Sequence, residues 1–116
     1  MPRTAKRPQP LPPAVFHLLL ALRDGEQHGY ALMQRVEELT DGAVRMGPGT
    51  LYGAIKRMLA DGLIEETTDR VARTGNERRR YYRLTANGRL TAVDELTRLQ
   101  HLVHLTAGHL PGAAAT

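Results

Sequence analysis

Apolar residues recur along this chain at helical spacing in four stretches, and in a fifth they alternate with polar ones. From Pro13 to Asp24 the residues Val15, Phe16, Leu18, Leu19, Leu20 and Leu22 predict a helix with almost no polar face, closed by Gly25. From Gly29 to Thr40 the stripe is Leu32, Val36 and Leu39 with Met33 beside it, while Gln34, Arg35, Glu37 and Glu38 fall outside. From Pro48 to Asp61, Leu51, Ile55, Met58 and Leu59 sit at i, i+4, i+7 and i+8, opposed by Gly53, Lys56, Arg57 and Ala60, with Thr50 and Tyr52 on the flanks. Pro48 suits a first helical turn because its missing N–H would be unpaired there, and Gly62 closes the helix. The last helix is capped by Thr85 and runs to about Gly108, with Ala92, Leu96, Leu99, Val103, Thr106 and Leu110 alternating at spacings of four and three, broadened by Leu102 and Leu105. Its capping box is incomplete, since Gly88 stands where Glu or Gln would reach back.

Leu63 and Ile64 start a strand after the third helix, and Thr74-Gly75-Asn76-Glu77 has the residues of a tight hairpin turn. Residues from about Leu63 to Val71 are then expected to pair with Arg80 to Leu84. Tyr82 and Leu84 share one face of the return strand, and Arg79, Tyr81 and Arg83 the other. The fold expected is mainly α with a small β-hairpin, in the order of a winged helix-turn-helix followed by a C-terminal helix. The divisions are a basic, proline-rich disordered arm over 1–12, the winged helix-turn-helix over 13–85, a dimerisation helix over 86–110 and a flexible tail over 111–116.

A first helix that is apolar all round and a long seam on the last one exceed what a small domain can cover by itself. A homodimer is therefore expected, with Phe16, Leu19 and Leu20 of the first helix and Leu96, Leu99 and Val103 of the last at its interface.

Charge changes this picture most. The chain carries a net +4 at pH 7, and between Asp69 and Arg83 six arginines against Asp69 and Glu77 leave the same +4. The basic character is thus local to the hairpin, which suggests an acidic partner. At 116 residues there is room for one domain, and the absence of cysteine excludes disulfides, thiolate catalysis and Cys-based zinc sites. The longest apolar run, Ala14 to Leu22, is roughly half of what a bilayer requires. No signal peptide is evident, so a cytoplasmic protein without membrane contact is expected. There is no HExxH, no Gly-rich phosphate loop and no Gly-x-Ser-x-Gly, so an enzyme is not expected and no cofactor is called for.

Four short motifs, in order, resemble the PadR family of bacterial transcriptional regulators over about Leu18 to Leu90. They are His28-Gly29-Tyr30, Pro48-Gly49-Thr50-Leu51-Tyr52, Asp61-Gly62-Leu63-Ile64, and Arg80-Tyr81-Tyr82-Arg83-Leu84-Thr85 with Gly88 behind it. The single short C-terminal helix is similar to the compact branch of that family, which dimerises through its first and last helices. Gly53 departs from the proline found in many members, and Gly47 from a capping serine. Some compact members take flat aromatic compounds between tryptophans at the dimer centre. This chain has no tryptophan and Phe16 is its one phenylalanine, so that mode is not carried over, and a small-molecule inducer is left unidentified.

The resemblance implies a homodimeric, sequence-specific DNA-binding regulator, expected to be a repressor. It would read a pseudo-palindromic operator with the third helix (48–61) in the major groove and the basic wing (69–83) on the backbone. Thr50 and the N–H groups near Gly49 would hold a phosphate, with Tyr52 and Lys56 along the groove. Tyr52 could equally be a packing residue. Arg57 points outward too, but can pair with Asp61 for about 0.3–0.5 kcal/mol. Arg78, Arg79 and Tyr81 would touch the backbone from the wing, and Tyr30 is a further phosphate contact. Two other readings stand beside this one: a winged-helix module that grips protein, and a metal-sensing repressor using His101 and His104, which share a helix face. The wing is net basic, the outer face of the third helix is not apolar and no local carboxylate completes a ligand set, so neither reading is favoured and no metal site is assigned. His28 is expected to be structural.

Overall fold

The computed structural model describes residues 10–68 and 80–110. In chain order the elements are α1 (Pro13–Ala21), β1 (Gln27–His28), α2 (Gly29–Leu39), α3 (Pro48–Ala60), β2 (Ile64–Thr68), β3 (Arg80–Leu84) and α4 (Ala86–Thr106). The mainly helical fold with a small antiparallel sheet agrees with the sequence reading. The turn at Thr74–Glu77, residues 1–9 of the arm expected over 1–12 and the tail over 111–116 lie outside the described residues, while residue 11 of that arm departs from the expectation, because Leu11 packs half-buried against the core.

The core is one cluster to which every helix contributes. Leu18, Leu19 and Leu22 meet Leu32 and Val36 of α2, Leu51, Ile55 and Met58 of α3, and Ala92 of α4, while Ile64 and Tyr82 close it from the sheet. The third stripe is buried as its spacing requires, with Leu59 half-buried. Leu39 of the second stripe is exposed at the last residue of α2.

α3 stops where the chain expects it to. Gly62 has φ +73°, and the Leu63 N–H bonds to the Met58 carbonyl at 2.9 Å while the Gly62 N–H reaches Leu59 at 3.1 Å. This is the Schellman arrangement, and it turns the chain directly into β2. β2 pairs with β3 from Ile64↔Leu84 to Thr68↔Arg80, within the limits expected for the hairpin.

A third strand was not expected. Gln27 and His28 pair antiparallel with Tyr82 and Tyr81, giving the order β1-β3-β2 and making β3 the central strand. Two residues cannot show an alternation, so this strand leaves no periodic signal. Its effect is to bond the start of α2 onto the wing.

Two expectations about the terminal helices need correction. Leu19, assigned to a dimer interface, is 0% exposed inside its own chain, so no partner can reach it. α1 is also shorter than expected, ending at Ala21 with Leu22 in a turn. Of the apolar seam on α4, Ala92 is already in the core and Leu99 is half-buried. Leu96, Val103 and Leu110 stand exposed with Leu102 and Leu105.

Thr85 caps α4 as expected, its hydroxyl accepting from the Gly88 N–H at 3.0 Å and donating to the Gly62 carbonyl at 2.6 Å. Gly88 is explained by packing: a Cβ there would stand 1.9 Å from the Leu63 carbonyl oxygen. The capping box is incomplete because that position touches β2's leading backbone and has no room for a side chain.

Glu95 is the one buried charged residue among those described, at 4% exposure. Arg98 holds both its carboxylate oxygens at 2.8 Å, and the backbone N–H of Leu11 donates to it as well. The chain leading into α1 is thereby tied to α4. The Arg98 hydrogen bonds hold the Glu95 carboxyl below its ordinary range, against the opposing effect of burial.

Candidate nucleic-acid interface

The outer face of α3 is set by the helix's own periodicity. With Leu51, Ile55 and Met58 inside, Gly49, Thr50, Tyr52, Gly53, Lys56 and Arg57 are all exposed. Gly49 and Gly53 leave the helix backbone open over its first two turns, so a partner can approach closely. Gly47 starts the helix with no side-chain cap, and Pro48 supplies none of the N–H groups there. The N–H groups of this first turn point at solvent with the positive end of the helix dipole behind them.

Arg57 lies 3.7 Å from Asp61, the i,i+4 pair expected from the sequence. Both side chains are well exposed, so the pair adds little stability. The pair leaves Lys56 as the less committed cation of the two, although Lys56 and Arg57 are equally placed to meet an anionic surface.

Tyr52 connects α3 to its neighbours. It is 50% exposed, yet its hydroxyl lies over Gly29, where an added Cβ would come within 2.5 Å of it. Packing and exposure are both real for this residue, because the hydroxyl end of the ring rests on Gly29 at the start of α2 while half of the side chain stays exposed. Beside it opens a groove of about 690 Å³ between the start of α2 and β3, lined by Gly29, Tyr30, Gln34, Tyr52, Arg80 and Tyr82.

His28 forms the back of that groove structurally. Its Nδ1 accepts from the Ala31 N–H at 3.3 Å and caps α2. Its ring meets the edge of Tyr81 at 5.7 Å between centroids, nearly perpendicular. Tyr81 is therefore half-buried against His28 and presents less of itself outward than the wing reading supposes.

The wing strand carries a residue that the sequence reading missed as a site. Alternation places Arg80 on the buried side of β3 with Tyr82, yet at the strand's end it is exposed. It pairs with Glu66 at 3.5 Å and donates to the Tyr82 hydroxyl. Burial pushes the Tyr82 phenol above its ordinary range, Glu66 and Tyr52 add to this, and Arg80 opposes it. The signal was a cation in phase with the core stripe at a strand terminus.

The structure thus brings Tyr30 and Tyr52 to one groove and sets Gly49, Thr50, Lys56 and Arg57 on the exposed face of α3 that Tyr52 shares, whereas Tyr81 packs on His28 and does not line the groove. Arg78 and Arg79 lie outside the described residues. His101 and His104 lie apart from it on the exposed part of α4. Among the described residues no helix is long and apolar enough to cross a membrane.

An exposed amphipathic helix beside a small antiparallel wing is shared by many proteins, and sequence decides among them. A profile described as the transcriptional regulator PadR-like family matches residues 18–93. The chain belongs to that family. The matched span holds the whole candidate interface, and membership makes this chain a transcriptional regulator and not an enzyme.

Among relatives of the PadR-like chain is transcriptional regulator Rv3488 of Mycobacterium tuberculosis, 36% identical over 93 residues, which cover 80% of this chain and 81% of that one. An uncharacterised 37.1 kDa protein of a Streptomyces fradiae transposon is 38% identical over 72 residues, covering 62% of this chain but only 19% of its own length. The fold matches that of a PadR family regulator from Clostridium difficile, with a TM-score of 0.71, 24% identity, and coverage of 80% and 93% of the two chains. It also matches Bacillus subtilis PadR in complex with operator DNA, with a TM-score of 0.63, 23% identity, and coverage of 71% of this chain and 45% of that one.

Proposed function

We propose that this PadR-like chain is a homodimeric repressor that reads a pseudo-palindromic operator, with α3 in the major groove and the wing on the backbone. The observation that carries the reading is the outer face of α3, where Thr50, Lys56 and Arg57 flank two exposed glycines at an uncapped helix start. Small residues let the helix seat deeply, the cations neutralise phosphate, and the free N–H groups bind a phosphate oxygen. The operator complex of Bacillus subtilis PadR, a protein of the same fold, supports the assignment to duplex DNA.

The dimer rests on α4. Leu96, Leu102, Val103 and Leu105 are exposed along it, and Phe16 and Leu20 are half-buried on α1, the helix that packs against it. A second copy would cover both sets and set two α3 helices about one helical turn apart. On this reading residues 13–85 form the DNA-binding unit and 86–110 the dimerisation helix, in a protein that works in the cytoplasm.

The test is titration of the protein onto promoter DNA from its own locus in rising salt. A log-linear fall of affinity with salt is expected, together with preference for that DNA over an unrelated duplex. Binding that ignores salt would overturn the phosphate-contact reading.

A further inference from the structure

The groove between the start of α2, Tyr52 and β3 is open to solvent along one side. Its floor is Gly29, where Tyr52 leaves no space for a side chain. Its rear wall is fixed by the bonding of β1 to β3 and by the His28 cap. Tyr30, at 61% exposure, and Tyr52 stand at its mouth, and among its described lining residues none is a carboxylate. Arg80 lies at one side with its guanidinium shared between Glu66 and the Tyr82 hydroxyl. Glu66 is itself outside the lining, and at 3.5 Å in an exposed position this ion pair is weak.

Tyr52 belongs both to this groove and to the outer face of α3, on the helical row of Lys56. Whatever α3 grips therefore passes the groove mouth. We infer that the groove seats a DNA backbone phosphate with its flanking sugar and that Arg80 is the residue that closes on it. This rests on the DNA-binding reading above and adds to it a contact from β3. Two phenols give hydroxyl donors and ring faces for the sugar, and the guanidinium gives the planar fork that matches phosphate oxygens. A phosphate outcompetes Glu66 for Arg80 without leaving that carboxylate buried, because Glu66 already meets solvent.

The test uses the full chain and a mixed-sequence duplex of roughly three helical turns. Wild-type affinity is measured across a salt series beside Arg80→Ala, Arg80→Lys and Thr67→Val, the last removing the wing's hydroxyl contact with Glu26 outside the groove, with thermal melts of each to confirm folding. Arg80→Ala is expected to weaken binding about five- to tenfold at low salt and to lower the salt slope by about 0.9, the equivalent of one phosphate. Arg80→Lys should keep the slope, since the charge remains, and Thr67→Val should keep it too. If the wild type binds with a salt slope and Arg80→Ala leaves slope and affinity within about twofold, the inference about the groove is wrong while the DNA-binding reading stands. If Thr67→Val lowers the slope as far as Arg80→Ala, the effect is a loosened wing and the inference also falls. A wild type without salt-dependent binding would overturn the underlying reading itself.

Discussion

Lys56 and Arg57 are neighbours in sequence with equal formal charge and different commitments. Arg57 is held 3.7 Å from Asp61, whereas Lys56 stands exposed among glycine and tyrosine. Replacing Lys56 with Ala is expected to cost about 1–3 kcal/mol of DNA affinity, and replacing Arg57 with Ala less, as fluorescence anisotropy at fixed salt would show. Equal losses would mean that the Arg57–Asp61 pair opens freely on binding. A second residue of this kind is Gly88. Adding one methyl there drives a Cβ onto the Leu63 carbonyl, a backbone atom that cannot swing away. Gly88→Ala should destabilise the fold by about 3 kcal/mol or more in urea unfolding, with DNA contacts untouched in whatever fraction remains folded. At this scale the outward residues of α3 were legible, because helical phase alone decides which side they take. Gly88 was legible only as a defect in a cap. Its reason lies at Leu63, twenty-five positions earlier, where no local pattern points.

Elements were legible in proportion to their length and periodicity. α3 and the pairing of β2 with β3 follow from a stripe, a proline, a glycine and an alternation. β1 has two residues and no side-chain pattern, so its bonds to β3 are a tertiary event. The joint between the chain before α1 and α4 is of the same kind, since Glu95 looks like an ordinary surface position until Leu11 and Arg98 close on it. Because the folded carboxyl is held below its ordinary value of 4.5, its contribution is full above that value and is lost as pH falls through the lowered folded value. Glu95→Gln is expected to cost about 1–2 kcal/mol at neutral pH, discounted because Arg98 is partly solvated. The gap between wild type and variant should close as the pH drops below that range, measured by thermal melts from pH 7 to strongly acidic buffer. A gap that stays constant with pH would show that the loss is one of shape and not of charge.

The apolar excess that first argued for a partner is real, but the structure moves it. Leu19 is spent inside the chain, and what is left over lies further along α4, where every residue from Gln100 to Leu110 is exposed. Hydropathy counts leucines without knowing which ones a neighbouring helix will cover, so α1 looked more in need of a partner than it is. The terminal half of α4 extends past its own domain, and Val103 at 62% exposure meets nothing that would penalise a charge in a lone chain. This makes Val103 a clean probe of the proposed dimer. Val103→Asp should leave the folded domain intact by circular dichroism while shifting sedimentation from dimer to monomer. The wild type should melt at higher temperature as its concentration rises, and the variant should not, because only association couples stability to concentration. Operator affinity should fall far more than affinity for one half-site, since two α3 helices no longer arrive together. A variant that stays dimeric with unchanged melting would place the interface elsewhere, and Phe16 and Leu20, half-buried on α1, would be the residues to change next.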